Sequence, residues 1–558
     1  AQYLDDTFEC TVMEVAIQYP SGEHRADFHC IESADQPGRS DGKIFKLEGL
    51  PGDFAPSYRN KMRAIKERLV SAWAASNSRG GWHAERMSVA ASRSAQKAMR
   101  AKFRGSRLYR KQDSILLTEN SQWSLTEDTA SLEAAEAEIA EAASTADIAQ
   151  AISVTEQSTV LVLHITALDS QTSASPSELS DSVFGTYGDP VNLASQYNAC
   201  SYGKKTFVPA EGPDIVDGVA QVSIGIDVAG ASSTTVMNAA TNAANSLLGS
   251  LGNQFDHVMY AIPPGTTDNW IAYGYFNYYP TVYNDNWATR VSAQMHEIGH
   301  NLYLQHSNEG GASYADQQGM MGYSYNQDDG PVMCFNAAKN SQLTWYRDRE
   351  VSVNQPWRGK VIGLADYGSA SSEQSVIVKI SGDSGNPLYV TYNRKAGVNS
   401  GTREAADKVT VVQGADRATS DLLAKLGGGE SYNLRNFWGP GNDLTLTVEE
   451  IATDFNDVQY AMVNIEGSEE TPVYGLTVNS GSGDGNYAAG QTVSITADAA
   501  PAGQEFDRWL VDSGNVQIAD ANLASTTLEM LDSAATVSAT YRNQAPVQYS
   551  LTVNSGAG

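Results

Sequence analysis

The sequence predicts a multidomain protein in which a central α+β domain is flanked by an N-terminal domain and by all-β domains on the C-terminal side. Three observations support this fold class. The chain has 558 residues, more than one hydrophobic core usually serves. Short apolar runs and a helical apolar pattern alternate within residues 157–350. A short sequence near the C-terminal end recurs with a period of 75 residues.

The first 131 residues divide by composition into two parts. Residues 1–56 alternate apolar and polar side chains around Gly and Pro, which predicts a small β module. Residues 57–131 are predicted to be helical and basic. Positions 58–111 contain 15 Lys or Arg and two acids, although the chain carries a net charge of −28. We expect this segment to dock on an acidic domain, with a solvated basic surface as the alternative.

Residues 132–156 are rich in Ala and Glu and lack a large apolar face. They are predicted to be a linker or a mobile helix, and such segments are accessible to proteases. No nucleic-acid-binding module accompanies the basic run, so nucleic acid is not a predicted partner. No apolar segment is long enough to span a membrane.

The central domain, predicted over residues 157–350, starts with an apolar run at 159–163 that indicates a buried strand. Residues 270–276 alternate around Gly274 and predict an edge strand. The unpaired backbone groups of an edge strand can pair with an extended peptide. The remaining elements predicted before residue 290 are strands at 222–228 and 258–262 and a helix at 236–251.

The next predicted helix carries the most informative motif of the chain. Three of only eight histidines lie within eleven positions of one another. His296 and His300 are four residues apart and therefore share a helix face, with Glu297 beside them. His306 supplies a third imidazole and leaves a fourth ligand position open for water. This is the donor set of a catalytic zinc site in which the glutamate acts as general base. The core-facing stripe of this helix is predicted to be Val291, Met295, Ile298 and Leu302.

The run His-Glu-Ile-Gly-His-Asn-Leu-Tyr-Leu-Gln-His-Ser at 296–307 resembles the metzincin motif H-E-x-x-H-x-x-G-x-x-H. More narrowly, it resembles the gametolysin family of secreted zinc peptidases. Three further stretches carry that resemblance: Cys-Ser-Tyr-Gly-Lys at 200–204, Met-Gly at 321–322, and 334–346. The resemblance implies a metzincin-like catalytic domain with a mixed, twisted sheet and an active-site helix.

The same resemblance implies an activity and its cofactor. We expect a secreted, extracellular zinc metalloendopeptidase that is made as a zymogen and cuts proteins or glycoproteins. The N-terminal residues would then be a prodomain that acts as an intramolecular inhibitor, and residues 132–156 would contain the activating cleavage site. The chain begins at Ala1 without an apolar signal region, so we expect a signal peptide to have been removed.

The resemblance also suggests roles for residues near the metal. Met321 is the expected Met-turn residue, with Met320 as its rival, and Tyr323 is a candidate oxyanion stabiliser. Tyr303 departs from the motif, because metzincins have glycine there to turn the chain at positive φ. A tyrosine at this position predicts either a strained turn or a longer helix, and it makes His306 the least secure ligand.

Four cysteines in an extracellular protein predict two disulfides. The pairs Cys10–Cys30 and Cys200–Cys334 place each bridge within one predicted domain, while the other two connectivities stay open. Calcium is a second candidate cofactor, although no EF-hand spacing is present. Its candidate ligands are Asp316, Asp328 and Asp329.

The C-terminal third is predicted to be all-β. Residues 351–467 are rich in strand-forming residues and glycine, which predicts a β-sandwich-like domain. Residues 468–545 resemble the divergent internalin-type B repeats, small β modules of secreted and surface proteins. Residues 546–558 begin a second, truncated copy. The aromatic residues of the repeat are predicted to pack its core, and contact with glycans or a cell surface is the alternative.

An alternative from another functional class is a non-catalytic secreted adhesin or binding protein that retains a structural zinc site. The departure at Tyr303 leaves room for this hypothesis. Glu297 favours the enzyme, because a structural zinc site has no need of a general base beside three histidines.

Overall fold

The computed structural model describes the chain in fourteen segments. They are residues 2–3, 7–21, 24–31, 44–48, 50, 54–59, 61–62, 99–104, 109–111, 114–116, 122–127, 156–383, 385–469 and 473–544. The chain forms two compact units. The first consists of Ala1–Ser381, Gly385–Tyr432 and Thr447–Asn464, and the second of Gly382–Ser384, Asn433–Leu446 and Ile465–Gly558.

The first unit is built on a sheet of 14 strands. Those before residue 130 are β1 (Gln2–Tyr3), β2 (Thr7–Gln18), β3 (His24–Ile31), β4 (Ile44–Glu48), β5 (Met99–Arg104), β6 (Tyr109–Lys111), β7 (Ser114–Leu116) and β8 (Gln122–Glu127). The others are β9 (Glu156–Thr166), β10 (Lys205–Pro209), β11 (Val219–Ser223), β12 (His257–Ile262), β13 (Ala272–Tyr275) and β14 (Pro280–Asn284).

The central part of this sheet is mixed, as predicted. β9 is a buried run that pairs in parallel with β10, β11 and β12, and β12 pairs in parallel with β14. β13 runs antiparallel to β14. The strand predicted at 222–228 lies earlier, at Val219–Ser223. These are the residues that pair with Val162–Thr166 of β9.

The N-terminal strands continue the same sheet. β2 pairs antiparallel with β13 on one side and with β3 on the other. Within residues 1–56, where a small β module is predicted, the described strands are β1 to β4. The prediction of a helical segment at 57–131 is wrong for β6, β7 and β8. It is also wrong for residues 99–104, which form a strand between β2 and β8. The alternation of apolar and basic residues there has the two-residue period of a strand.

Most of the basic run at 58–111 and the linker at 132–155 lie outside the described residues. At the start of the basic run, residues 54–59 and 61–62 are helical. Six helices follow in the described chain after residue 156: α1 (Pro176–Phe184), α2 (Leu193–Cys200), α3 (Ser233–Leu248), α4 (Leu251–Gln254), α5 (Val291–Asn301) and α6 (Ala337–Leu343). Single turns of 3-10 helix occur at Asp285–Thr289, Arg347–Arg349, Leu364–Ser369 and Gly397–Asn399.

A second sheet of the first unit has six strands in the order β15-β22-β21-β20-β19-β16. Their bounds are β15 (Ser307–Glu309), β16 (Glu350–Val353), β19 (Ile377–Ile380), β20 (Leu388–Asn393), β21 (Lys408–Gly414) and β22 (Ser420–Leu426). Because β15 precedes residue 350 and pairs in parallel with β22, the units have no boundary at the predicted end of the central domain.

The remaining strands before the repeat are β17 (Trp357–Ile362), β18 (Gln374–Ser375), β23 (Ser431–Leu434), β24 (Asn442–Thr453) and β25 (Gln459–Glu469). The repeat contains β26 (Val473–Asn479), β27 (Gly481–Ser482), β28 (Gly485–Ala488), β29 (Thr492–Ala497), β30 (Gln504–Ser513), β31 (Val516–Ile518), β32 (Ser525–Met530) and β33 (Ala535–Asn543). These form two four-stranded sheets around an apolar core that includes Trp509. The second repeat predicted at 546–558 lies outside the described residues.

Both predicted disulfides are present. The Cα atoms of Cys10 and Cys30 are 5.6 Å apart, and those of Cys200 and Cys334 are 5.5 Å apart. The first links β2 to β3, and the second links the end of α2 to the segment before α6. None of the helices in the described part of the chain is long and apolar enough to cross a membrane.

Candidate metal centre

Helix α5 carries two of the three histidines, and all eleven of its residues are buried. Val291, Met295 and Ile298 pack in the apolar core, as predicted from their spacing. His296 and His300 lie on the neighbouring face. The helix is therefore fixed by its core side while its other side presents two imidazoles.

The helix ends at Asn301 and the chain reverses at Tyr303, which has a φ of 68°. Two backbone bonds close the turn: Tyr303 N–H donates to His300 O over 2.8 Å, and Leu304 N–H donates to Gly299 O over 2.9 Å. The left-handed conformation that the metzincin glycine would adopt is thus adopted here by a tyrosine. Such a conformation costs a non-glycine residue roughly 1–2 kcal/mol.

Two contacts from later in the chain hold this turn. The side chain of Gln342 donates to Tyr303 O over 2.9 Å. The guanidinium of Arg417 lies 5.4 Å from the centre of the Tyr303 ring, within the range of a cation–π interaction. The departure at Tyr303 therefore does not extend the helix, and His306 returns to the other two histidines.

His296, His300 and His306 come together in the interior, with their candidate ligand atoms all within 4.8 Å of one another. The Nε2 atoms of His300 and His306 are 3.2 Å apart. Two nitrogens bound tetrahedrally to one zinc ion at its usual bond length would be about 3.3 Å apart. The observed separation matches that value.

Backbone carbonyls fix the tautomers of two imidazoles. His296 Nδ1 lies 2.8 Å from Met320 O, and His300 Nδ1 lies 2.8 Å from Leu304 O. A carbonyl oxygen only accepts, so each Nδ1 carries the proton and each Nε2 keeps its lone pair for a metal. Burial lowers the pKa of His296 to about 4 and the pKa of His300 well below its usual value, which keeps both rings neutral at neutral pH.

The buried polar atoms around this point fit a zinc ion. His296 Nε2 and both carboxylate oxygens of Glu297 have no well-formed hydrogen bond to any described residue. Three imidazole nitrogen donors and a nearby carboxylate are a donor set that Zn²⁺ prefers. Leaving these atoms buried without a partner would be costly. A cation at the centre of the triad would be a partner for His296 Nε2 and would attract the Glu297 carboxylate beside it.

Glu297 lies beside the triad rather than within it. Its Oε2 is 4.0 Å from His300 Nε2, and its side chain is buried. Burial raises the pKa of Glu297 well above its usual value, with a smaller opposing effect from the nearby Gly274 backbone. A carboxylate in this environment readily accepts a proton.

Met321 packs directly beneath helix α5. A Cβ atom at Gly299 would lie 2.5 Å from Met321 Sδ, so the helix approaches this methionine closely between the two helical ligands. Met320, the rival in the sequence, contributes the carbonyl that accepts from His296. Of the two methionines, Met321 is therefore the one whose side chain lies under the helix at Gly299.

Tyr323 does not contact the histidines through its hydroxyl, which instead donates to Pro20 O over 3.0 Å. A different tyrosine, which the sequence did not indicate, lies at the triad. The Tyr314 ring is buried, with its centre 4.2 Å from that of His306 and 5.6 Å from that of His296. Tyr314 belongs to no motif and stands on a loop, so no sequence signal could have identified it.

The three candidate calcium ligands do not come together. Asp316 is buried and accepts from the Asn336 side chain over 2.8 Å, whereas Asp328 is exposed and pairs with Arg290 over 2.8 Å. Among the described residues, the histidine triad is the group of three or more candidate ligands close enough to share an ion. Asp316 and Asp328 are close in sequence but have different partners in the fold, so the prediction of a calcium site at these aspartates is wrong.

The N-terminal strand β2 lies beside β13, the strand that packs on helix α5. Ala16 is opposite Gly274, and Ile17 is opposite Tyr273. A Cβ atom at Gly274 would lie 2.5 Å from Glu297 O, so β13 rests directly on the helix. A cleft at this place is lined by residues of the N-terminal segment and of the triad, including Glu14, Ala16, Arg59, Tyr303 and His306.

The comparisons with known proteins agree with this class of site. Residues 157–360 match the family model described as gametolysin peptidase M11. Residues 474–545 match the divergent InlB B-repeat domain. Both family resemblances predicted from the sequence are thereby confirmed.

Among curated proteins, autolysin of Chlamydomonas reinhardtii is similar to this chain, with 26% identity over 208 residues. The similar region is 34% of this chain and 29% of autolysin, so the chain spans about three tenths of that relative's length. No solved structure matches the chain.

Proposed function

We propose that the protein is a secreted zinc endopeptidase that hydrolyses peptide bonds of extracellular proteins and is made as a zymogen. One observation carries this proposal. Three buried imidazoles direct their Nε2 atoms to one point, beside a buried carboxylate that has no well-formed hydrogen bond to a described residue.

The chemistry divides between the metal and Glu297. A Zn²⁺ ion held by His296, His300 and His306 would polarise the scissile carbonyl and lower the pKa of a water molecule. Glu297 accepts the proton of the attacking water and passes it to the nitrogen of the leaving amine. Burial raises the pKa of Glu297, and a higher pKa makes its carboxylate a stronger base for the first step.

The substrate would bind as an extended strand against β13. The outer edge of β13 is where β2 now pairs, through residues 273–275. An extended peptide could form the same backbone hydrogen bonds in place of β2. The close packing of Gly274 on Glu297 O would bring such a peptide next to the general base.

The same pairing supports an inhibitory role for the N-terminal segment. Ile271 N–H donates to Gln18 O over 2.8 Å, and Tyr323 donates to Pro20 O. Met13, Val15 and Ile17 belong to the apolar cluster that contains Tyr273. While β2 stays in place, a substrate strand has no free edge on β13 to bind.

Extracellular location is supported by the two disulfides, which are typical of oxidising compartments. The repeat at 474–545 would be an accessory module. Trp509 is buried in its core, with Phe506 and Tyr541 packed against the same cluster, so these aromatics serve packing. Contact with a cell surface or glycan would have to use other residues.

The test measures zinc content and casein hydrolysis by the full chain, before and after limited proteolysis within 132–156. We expect one zinc per chain and hydrolysis that appears on cleavage. Glu297→Gln should abolish hydrolysis and retain zinc. Glu373→Gln, at an exposed position, is the matched control and should behave like the unaltered chain.

Two results would reject the proposal. Absence of bound zinc would remove the metal chemistry altogether. Zinc without hydrolysis, both before and after cleavage, would favour the non-catalytic binding protein with a structural metal.

A further inference from the structure

His306 differs from the other two histidines in how the fold holds it. His296 and His300 sit on α5, whose helical hydrogen bonds fix their relative positions. His306 lies beyond the turn at Tyr303, in the extended segment that leads into β15. Its position therefore depends on contacts with distant parts of the chain rather than on local structure.

Backbone contacts on either side of the segment provide the first part of that support. Ser420 N–H donates to His306 O over 3.1 Å, and Ser307 N–H donates to Met321 O over 2.9 Å. Ser307 also stands opposite Ser420 in the parallel pair of β15 and β22. The third histidine is thus held between the Met321 loop and the second sheet.

One side chain joins these parts. The amide nitrogen of Asn336 lies 3.0 Å from Ser307 Oγ, 2.8 Å from Asp316 Oδ2 and 3.0 Å from Ser420 Oγ. All four side chains are buried. Asn336 is also the N-cap of α6, because its oxygen accepts from Lys339 N over 3.0 Å.

We propose that Asn336 is a positioning residue for the metal centre, which places His306 by tying the segment after it to Asp316 and to Ser420 of the second sheet. This inference deepens the proposed function and rests on it. By this inference, β22, which lies outside residues 157–360, also contributes to the position of His306. Groups that orient a ligand from behind typically contribute 10–100-fold to metal affinity.

The substitution Asn336→Asp separates positioning from helix capping. Aspartate keeps the oxygen that caps α6, since both residue types are good N-caps. It replaces the donor NH₂ with an acceptor that faces the Asp316 carboxylate and two hydroxyls. The contacts of the amide nitrogen with Ser307, Asp316 and Ser420 are lost while the helix retains its cap.

Asn192→Asp is the matched control. Asn192 is buried, caps α2 by accepting from Ser195 N over 2.8 Å, and donates from its nitrogen to Asp189 O over 2.8 Å. The same atoms are changed at a helix N-terminus that has no contact with His306 or Ser307. Any general cost of converting a buried capping amide to an acid appears in this control.

The experiment measures zinc affinity of the full chain by competition with a chelator, together with the visible absorption spectrum of the cobalt-substituted protein. We expect Asn336→Asp to weaken zinc binding about 10–100-fold and to alter the cobalt spectrum. Asn192→Asp should leave both unchanged. If Asn336→Asp does not fold, Ser420→Ala removes one partner of the amide and should shift both readouts in the same direction.

The inference is overturned if the variant that folds binds zinc within about twofold of the unaltered chain and shows the same cobalt spectrum. An equal loss in Asn192→Asp would also overturn it, since the effect would then be general. These readouts do not depend on hydrolysis. A chain that binds zinc normally but does not cleave casein would reject the proposed function alone, while a chain that binds no zinc would reject both.

Discussion

At the scale of single residues, Tyr303 shows how one unfavourable backbone angle is tolerated. Its φ of 68° has the cost expected of a non-glycine residue, yet the turn is closed by two backbone bonds and by Gln342. The ring gains a contact with Arg417. The strain is therefore compensated by tertiary contacts that a glycine would not need.

We predict that Tyr303→Gly will be more stable than Tyr303→Ala by about 1 kcal/mol, because both lose the ring and only glycine removes the strain. Denaturant unfolding of the two variants measures this difference. Equal stabilities would mean that the positive φ stores no strain at this position.

Gly299 tests the role of Met321 under the helix. Gly299→Ala places a methyl group against Met321 Sδ, and overpacking of this kind costs about 1–3 kcal/mol. Gly225→Ala, where no atom lies within 4 Å of the added carbon, is the control. In a Met321→Ala background the cost at Gly299 should fall. If the cost is the same in both backgrounds, Met321 is not what restricts this position.

At the scale of elements, β2 is the strand on which the zymogen proposal depends. It joins the strands after residue 156 through backbone pairs with β13 and through apolar side chains such as Val15, which is fully buried. The charge-based docking predicted for the basic run falls on residues that are mostly outside the described set. The contacts that can be seen are of a kind that salt does not screen.

We therefore predict that separately expressed residues 1–150 and 151–465 will associate at low salt and stay associated at about 1 M salt, where the Debye length is about 3 Å. Co-purification at the two salt concentrations measures this. Loss of association at high salt would assign the docking to the basic run instead. Val15→Asp should weaken association at both concentrations, because it buries an unpaired charge.

At the scale of the whole molecule, a metal ion held by the three histidines would link distant segments of the first unit. The triad joins α5 to the segment before β15, and that segment is bound to β22 through Ser420. A ligand that binds only the folded state stabilises it by an amount that grows with the logarithm of the ratio of ligand concentration to Kd. Zinc should thus stabilise the unit as a whole rather than one loop.

Removal of the metal by a chelator is expected to lower the Tm of the first unit. With free zinc at 1,000 times Kd, the loss corresponds to about 4 kcal/mol. Differential scanning calorimetry with and without chelator measures the change, and Glu297→Gln should show the same shift as the unaltered chain. His306→Ala should show a much smaller shift, and an undiminished one would exclude His306 from the metal site.

The sequence determined the features that depend on short separations along the chain. The spacing of His296 and His300 specifies one helix face, and the alternation around Gly274 specifies a strand. Both disulfides were predicted from which cysteines share a predicted domain. Residues 99–104, which form a strand that was not predicted, alternate apolar and basic residues with a two-residue period. The prediction of a helix followed the basic composition of the whole segment instead of this local period.

Only the tertiary structure decided which distant segments meet. Ser307 and Ser420 are 113 residues apart, yet they share a pairing register and one hydrogen-bonding partner in Asn336. The placement of β2 against β13, of Tyr314 against His306, and of the turn at Tyr303 likewise follows from packing. The periodicity of the sequence does not predict such contacts. Many residues of the chain could pair with a given strand or hydrogen-bond to a given buried amide, and only the folded structure shows which of them does.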